Sequence, residues 1–382
     1  MGFYNEFNKK EKPVFSGITR GTGGFGFGAT GGGELGTTGG TIVESGGKKY
    51  HVFYPVDSHS FVVVDDINNI EMLLIGSGGS GSQGFGSAGG GAGGVVHATG
   101  ITCPGGTYPI VIGDGGAPVA GPASGDCEGN TGSPSTATLG SQPYIATGGG
   151  GGGSGHSGSP QPTVYGNPGG SGGGGGYYAA GGSYPNQGGS GVAPPTSPNS
   201  GNSSQTGGIS YQNPGGDGDW SVTKASQPNG QCGGGGGGAN QNGGSAPEQV
   251  PARYGQGGNG ISITSFPATV IGPAIPTATL PGAQAPTVAG SPMPSASSTT
   301  QRAAFTAVVG PTGLYGGGGG GGYIGGPWLG GIGGGGNGSL DGNEGRFGVD
   351  GTGSGGGCAS GGSLGSTSGK GGSGICIISY PN

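Results

Sequence analysis

Glycine occupies 113 of 382 positions and comes in unbroken runs: Gly148 to Gly153, Gly233 to Gly238 and Gly316 to Gly322. A run of this kind is neither an ordinary helix nor an ordinary strand. Glycine loses the most backbone freedom on ordering and brings no side chain to bury. Such runs are either coil, or they stand where only a bare backbone fits. The second option has a definite form. A left-handed helix with three residues per turn has no internal hydrogen bonds, so its N–H and C=O groups point outward. Rods of this type laid side by side bond one another, and their close approach forbids a Cβ, as at the collagen axis. Ordering each residue costs about 1–2 kcal/mol, and a net hydrogen bond returns about 0.5–1.5 kcal/mol. One rod alone would melt, whereas a bundle fixed to a β base can balance.

Composition favours the packed option. Charged residues make up 7% of the chain, hydrophobic residues 29%, and the net charge is −6. Disordered chains usually carry more charge and are better hydrated by their side chains. The apolar content is enough for one β domain. The first twenty residues contain no apolar stretch, so no signal peptide is expected, and no run of about 18 apolar residues offers a membrane span. Lys9, Lys10, Lys12, Arg20, Lys48 and Lys49 are six of the eleven basic residues. With no basic stripe through the glycine region, nucleic-acid binding is not expected. Cys103, Cys127, Cys232, Cys358 and Cys376 form an odd set without CxxC spacing. Metal binding is not expected, and a Cys103–Cys127 bridge remains open.

The texture divides the chain. Residues 1–40 are polar and then glycine-rich, with Phe3, Tyr4, Phe7, Phe15, Phe25 and Phe27 at no regular period. They read either as a frayed tail or, the preferred reading, as an extended arm that orders against a partner through its aromatics. Residues 41–112 hold short strands at Thr41–Glu44, Tyr50–Tyr54, Ser60–Val64, Ile70–Ile75, Gly94–Ile101 and Tyr108–Ile112, punctuated by turn residues. Ser60–Val64 and Ile70–Ile75 are apolar on both faces, as expected inside a sandwich. Residues 374–382 supply a closing strand. Between them, 113–260 and 310–373 read as glycine rods joined by polar tips. Residues 261–309 carry seven prolines and three glycines and read as an extended and β insertion.

Tyr50-His-Val-Phe, Phe61-Val-Val-Val, Ile70-Glu-Met-Leu-Leu-Ile-Gly and Gly90-Gly-Ala-Gly-Gly-Val-Val96 together resemble the glycine-rich domain of tailed-phage virion proteins, found in fibres of marine and cyanobacterial phages. Pro104-Gly-Gly-Thr-Tyr-Pro-Ile-Val-Ile-Gly-Asp-Gly-Gly116 and the closing Gly-Ile-Cys-Ile-Ile-Ser-Tyr extend the likeness over residues 40–380. The Gly316–Gly322 run with Tyr323-Ile-Gly-Gly also looks like the glycine-rich region of anaplastic-lymphoma-kinase-type receptors. The resemblance implies an all-β fold: a jelly-roll or TNF-like sandwich with an inserted bundle of polyglycine-II helices. It implies a structural or receptor-binding role, with no catalytic residues and no cofactor. The chain departs from the pattern at Gly76-Ser-Gly-Gly-Ser and in the Pro-rich segment.

Motifs of chemistry are few. Gly76 to Gly81 fits GxGxxG after a strand, but the residues that follow cannot form the helix a dinucleotide site needs. Ser366 to Gly371 lacks the first glycine and the Ser/Thr of a phosphate loop. Asp217 and Asp219 read as solvated tip acids, and His51, His59, His97 and His156 are scattered. No Ser/His/Asp order stands out, so an enzyme is not expected. Tyr177, Tyr178, Tyr184, Tyr211, Trp220, Tyr254 and Trp328 fall on the tips, either covering rod ends or contacting a host glycan or protein. The sequence thus reads as a phage virion protein. Residues 1–40 would join other virion proteins on tail or capsid, and the body would form a trimeric knob released by lysis. A capsid decoration protein is the alternative; a cellular glycine-rich matrix protein fits less well.

Overall fold

The computed structural model describes residues 36–84, 86–121, 127–154, 165–177, 208–218, 232–246, 255–280, 300–322, 328–339, 344–360 and 366–382. Among these the chain is mostly β, in several largely antiparallel sheets with little helix. In chain order the strands are β1 (Thr41–Ser45), β2 (Lys48–Phe53), β3 (Ser58–Val63), β4 (Ile67–Ile75), β5 (Gln83–Gly84), β6 (Val95–Cys103), β7 (Gly106–Val111), β8 (Ser135–Leu139), β9 (Gln142–Ala146), β10 (Gly208–Tyr211), β11 (Ile261–Ser262), β12 (Leu314–Tyr315), β13 (Ala359–Ser360) and β14 (Ile375–Pro381). The helices are α1 (Ala268–Ile271) and α2 (Gln301–Val309).

A six-stranded sheet runs β1-β2-β14-β4-β6-β10 and a four-stranded sheet runs β3-β7-β8-β9. The two share one core, in which Phe53, Met72, Leu74, Val96 and Ile378 of the larger sheet meet Phe61, Ile110, Leu139 and Tyr144 of the smaller. Side chains alternate across a strand. The residues between these, Leu73, Ile75, Ile375 and Ile377, therefore point the other way, and they are just as buried. Their cover is a layer made by Phe266, Ile271, Phe305, Val309 and Tyr315. The double-sided apolar strands thus sit between a sheet and a helical layer.

That layer departs from the sequence reading. Residues 261–309 were expected to be extended and β, yet Gln301–Val309 is helical. Thr300 caps its start, accepting a hydrogen bond from the Ala303 amide at 3.3 Å, and Gly310 ends it at φ +56°. Ala304, Phe305 and Val308 lie three and four residues apart on the buried side. Two further points differ. The β8–β9 hairpin and β10 come from the stretch read as glycine rods and polar tips, because they are only four or five residues long and mix Ser, Ala, Gln, Pro and Gly with their Thr, Ile and Tyr. No disulfide joins any of the five cysteines, so Cys103 and Cys127 are not bridged. Burial pushes the Cys103 thiol up to about 11 and Cys358 to about 12, which keeps both protonated and inert at neutral pH.

The glycine segments form the rest of the body, and their backbone bonds repeat with period three. The amides of Gly76, Gly79 and Ser82 donate to the carbonyls of Gly94, Gly91 and Ala88. Those of Ser77, Ser80 and Gln83 donate to Ser133, Asn130 and Cys127, and those of Gly78 and Gly81 donate to Gly372 and Gly369. Each segment therefore faces three donors' worth of neighbours in turn.

Candidate functional site

Residues 88–94 occupy the centre of this array. Their amides donate to Gly153, Gly150 and Thr147 on one side, Gly234 and Gly237 on a second, and Gly356 and Gly353 on a third. Their carbonyls accept from residues 76–82, from Ser171 and Gly174, and from Gly319. Six segments thus surround one. A methyl group on Gly90 would lie well inside contact distance of the Gly79 carbonyl oxygen, and one on Gly319 would strike that of Gly356. At Gly90 and Gly319 no side chain fits, whereas the methyl groups of Ala88 and Ala92 in the central run are fully buried.

Besides the buried methyl groups of Ala88 and Ala92, the array admits serines whose hydroxyls bond to neighbouring segments. Ser77, Ser80 and Gln83 lie three apart on the face toward 127–133. Ser77 Oγ donates to the carbonyls of Asp114 at 2.6 Å and Ser133 at 2.8 Å, and Ser80 Oγ accepts from the Asn130 amide at 2.8 Å. The serines that break the glycine pattern at 76–80 are thereby accommodated.

The segments share one polarity of attachment. At the near end Gly76, Gly94, Gly113, Thr147, Gly316 and Gly374 follow or precede strands of the two large sheets or of β12. At the far end Ala88 bonds Gly153, Tyr177 bonds Gly86, Gly233 bonds Gly322, Gly321 bonds Gly255, and Ser339 bonds Cys358. Residues at this end flank segments 155–164, 219–231, 247–254, 323–327 and 340–343 of the sequence, and segment 178–207 follows Tyr177 there but leads into β10 of the large sheet.

The sequence-predicted contact residues divide accordingly. Tyr177 is fully buried at the far end, so it is not a surface contact: its ring fills space between segments. Tyr211 ends β10 opposite Val95 and packs on the helical-layer core, which places it at the near end rather than on a tip. Trp328 is half-buried and covers Gly255, where an added methyl would lie 3.2 Å from its Cδ1. Tyr178, Tyr184, Trp220 and Tyr254 lie outside the described residues, as do Phe3, Tyr4, Phe7, Phe15, Phe25 and Phe27.

The rejected motifs have a physical reason. Every amide from Gly76 to Gly81 is already bonded to a neighbouring segment, leaving none to cradle a phosphate. Ser368, Gly369 and Gly371 likewise donate to Val119, Gly357 and Gly116, and Lys370 pairs with Asp114 at 2.6 Å. Among the described residues no group of three or more His, Cys, Asp or Glu side chains could hold a metal ion, and no helix is long and apolar enough to cross a membrane. His51 is buried in the sandwich core. Its Nδ1–H donates to the Gly39 carbonyl at 2.8 Å, leaving Nε2 to accept from the Tyr380 hydroxyl at 2.9 Å, and Tyr380 also bonds Thr37. Burial holds its pKa below the usual histidine value. His59 bonds the Pro55 carbonyl, Asp217 is exposed, and His156 and Asp219 lie outside the described residues.

One polar cluster was not foreseen. Glu71, in the apolar strand β4, bonds His97 at 2.9 Å and Lys48 at 3.1 Å. Burial alone would raise its pKa. Hydrogen bonds from His97, Ser265 and Lys48 outweigh that and hold it at about 2. The cluster ties three strands of the large sheet to the segment carrying α1. A lone acid inside Ile70-Glu-Met-Leu-Leu-Ile was the available signal.

A sandwich-like β body with glycine segments threaded out of its strand ends and bonded to one another defines a glycine-rich structural domain. The profile of the glycine-rich domain family matches residues 55–273, more than half of the chain, and the protein belongs to that family. The match spans β3 to α1 and leaves out β14, which lies at the middle of the large sheet. No curated protein matches the sequence.

Proposed function

We propose that the protein is a structural component of a tailed-phage particle, displayed outward as the knob of a fibre or appendage. In this reading the two large sheets are a jelly-roll, and the glycine segments are polyglycine-II rods that stiffen the platform. Residues 1–40 attach it to other virion proteins. The connecting segments at the far end face the host surface.

The observation that carries the reading is the common far end. Five connecting segments are flanked by residues of the glycine array at that end, and a sixth, 178–207, starts from it. The three-residue repeat of the bonds and the lack of room for a Cβ at the array's glycines support rods over coil. A scaffold of this kind tolerates variation at its loops while holding them at fixed positions. Nothing in the chemistry of the described side chains points to a reaction.

Deletion of residues 1–28 tests the attachment. The body is expected to fold and the particles to assemble without it. Immunogold labelling of intact particles should mark a tail appendage and lose that mark in the deletion. Normal incorporation of the truncated chain would overturn the attachment role. Label confined to the capsid shell would replace the fibre reading by capsid decoration.

A further inference from the structure

We infer that the outer face of the four-stranded sheet is covered by the protein's own upstream chain, with Phe25 and Phe27 as the anchoring side chains. The face is apolar where it should be wet. Val62, Val64, Pro109, Val111, Pro143 and Ile145 point away from the shared core, and the residues between them are serine and threonine. None is charged. Val64 is 62% exposed and Val111 40%. Val111 lies opposite Ser58 and Thr136, and Thr136 opposite Ile145, while Val62 lies opposite Thr107 toward the other end of β3, so the apolar side chains are spread along the length of the face. A soluble sheet normally carries charge on such a face.

The chain itself indicates the occupant. Thr38 pairs antiparallel with Val62 at the edge of this sheet, through two backbone hydrogen bonds of 3.0 and 2.9 Å. Gly36, the first described residue, lies against Val64, close enough that a methyl on it would sit 3.0 Å from Val64 Cγ2. The preceding residues therefore arrive at the rim of the exposed face. Extended chain between Phe27 and Gly36 reaches about 30 Å, and four strands at about 4.8 Å spacing make a face about 20 Å wide. Both phenylalanines can reach every part of it.

Size argues against a second copy of the protein. Such a face offers about 400 Å², about half of what one partner contributes to a stable interface. A tethered segment meets no such threshold, because its effective concentration is high. Aromatic rings flanked by glycine suit the purpose: large apolar area on a chain free to lie flat. Attachment elsewhere through Phe3, Tyr4, Phe7 and Phe15 leaves this contact in place.

The test is photo-cross-linking of the full chain carrying p-benzoylphenylalanine in place of Phe27. Expected are cross-links within one chain to peptides 58–64, 106–111 or 135–146. Val111→Asp should lower their yield at least fivefold while far-UV circular dichroism stays unchanged. Thr136→Asp serves the same end if Val111→Asp perturbs the body. Cross-links that join two chains, that map elsewhere, or that ignore the added charge would overturn the inference.

Discussion

The sandwich and the glycine array bury their interiors by opposite means. The sandwich fills its centre with large side chains, such as Phe53, Phe61, Met72 and Ile378, all with no exposed surface. The array buries backbone, and its cohesion comes from hydrogen bonds between segments rather than from apolar area. In the first region truncation leaves a hole; in the second, addition leaves a clash. One chain thus contains two solids with inverse rules for substitution, joined where β4, β6 and β14 run into Gly76, Gly94 and Gly374.

The contrast is sharpest at Gly319. Gly319→Val should cost more than any truncation in the sandwich, since its side chain meets the Gly356 carbonyl with no flexible neighbour to yield. Loss of protease resistance in the array and loss of cooperative unfolding are the expected results; unchanged melting would show the run to be a loose linker. Phe61→Ala, the matching change in the sandwich, should cost about 3–5 kcal/mol by denaturant titration. An equal response of both regions to added bulk would break the comparison.

A smaller effect belongs to Glu71. Its folded pKa is about 2, against 4.5 for the free side chain. Its contribution is therefore present above pH 4.5 and is lost as pH falls from there toward 2. Glu71→Gln should lower stability at pH 7 by about 2–3 kcal/mol and flatten the acid limb of the stability profile. A profile as steep as that of the parent would remove Glu71 as the cause.

Gly46 gives the smallest effect and separates two reasons for glycine. It has φ +59° in the β1–β2 turn, with open space where a Cβ would stand. Gly46→Ala should cost about 1 kcal/mol, through conformation alone. A loss as large as that at Gly319 would mean that room is not what the array lacks.

Much of the β framework could be read from sequence. The strands around Val43, Val52, Val62, Leu73, Val96, Ile110 and Ile377 formed where alternation, β-branching and turn residues placed them. That Gly316 to Gly322 would bond to other segments followed from the absence of any other use for such a run. The second cover of the large sheet was not legible, because prolines around 267–294 obscured the short helical pattern of Gln301–Val309. The β8–β9 hairpin was hidden by its short strands and by Ser135, Ala137, Gln142 and Pro143 within them. Tyr177 and Tyr211 misled for one reason: proximity in sequence to a polar stretch says nothing about which end of a rod a residue occupies.

Residues 88–94 take their partners from segments as distant as Gly319 and Gly356, and Ile75 pairs with Ile375 across about 300 residues of chain. This central segment cannot acquire its full shell while those partners are still on the ribosome. Assembly must therefore run late and nearly all at once, at the slow pace that long-range pairing imposes. Until then the nascent chain presents unpaired amides along its length, a period of exposure to misassociation that grows with synthesis time.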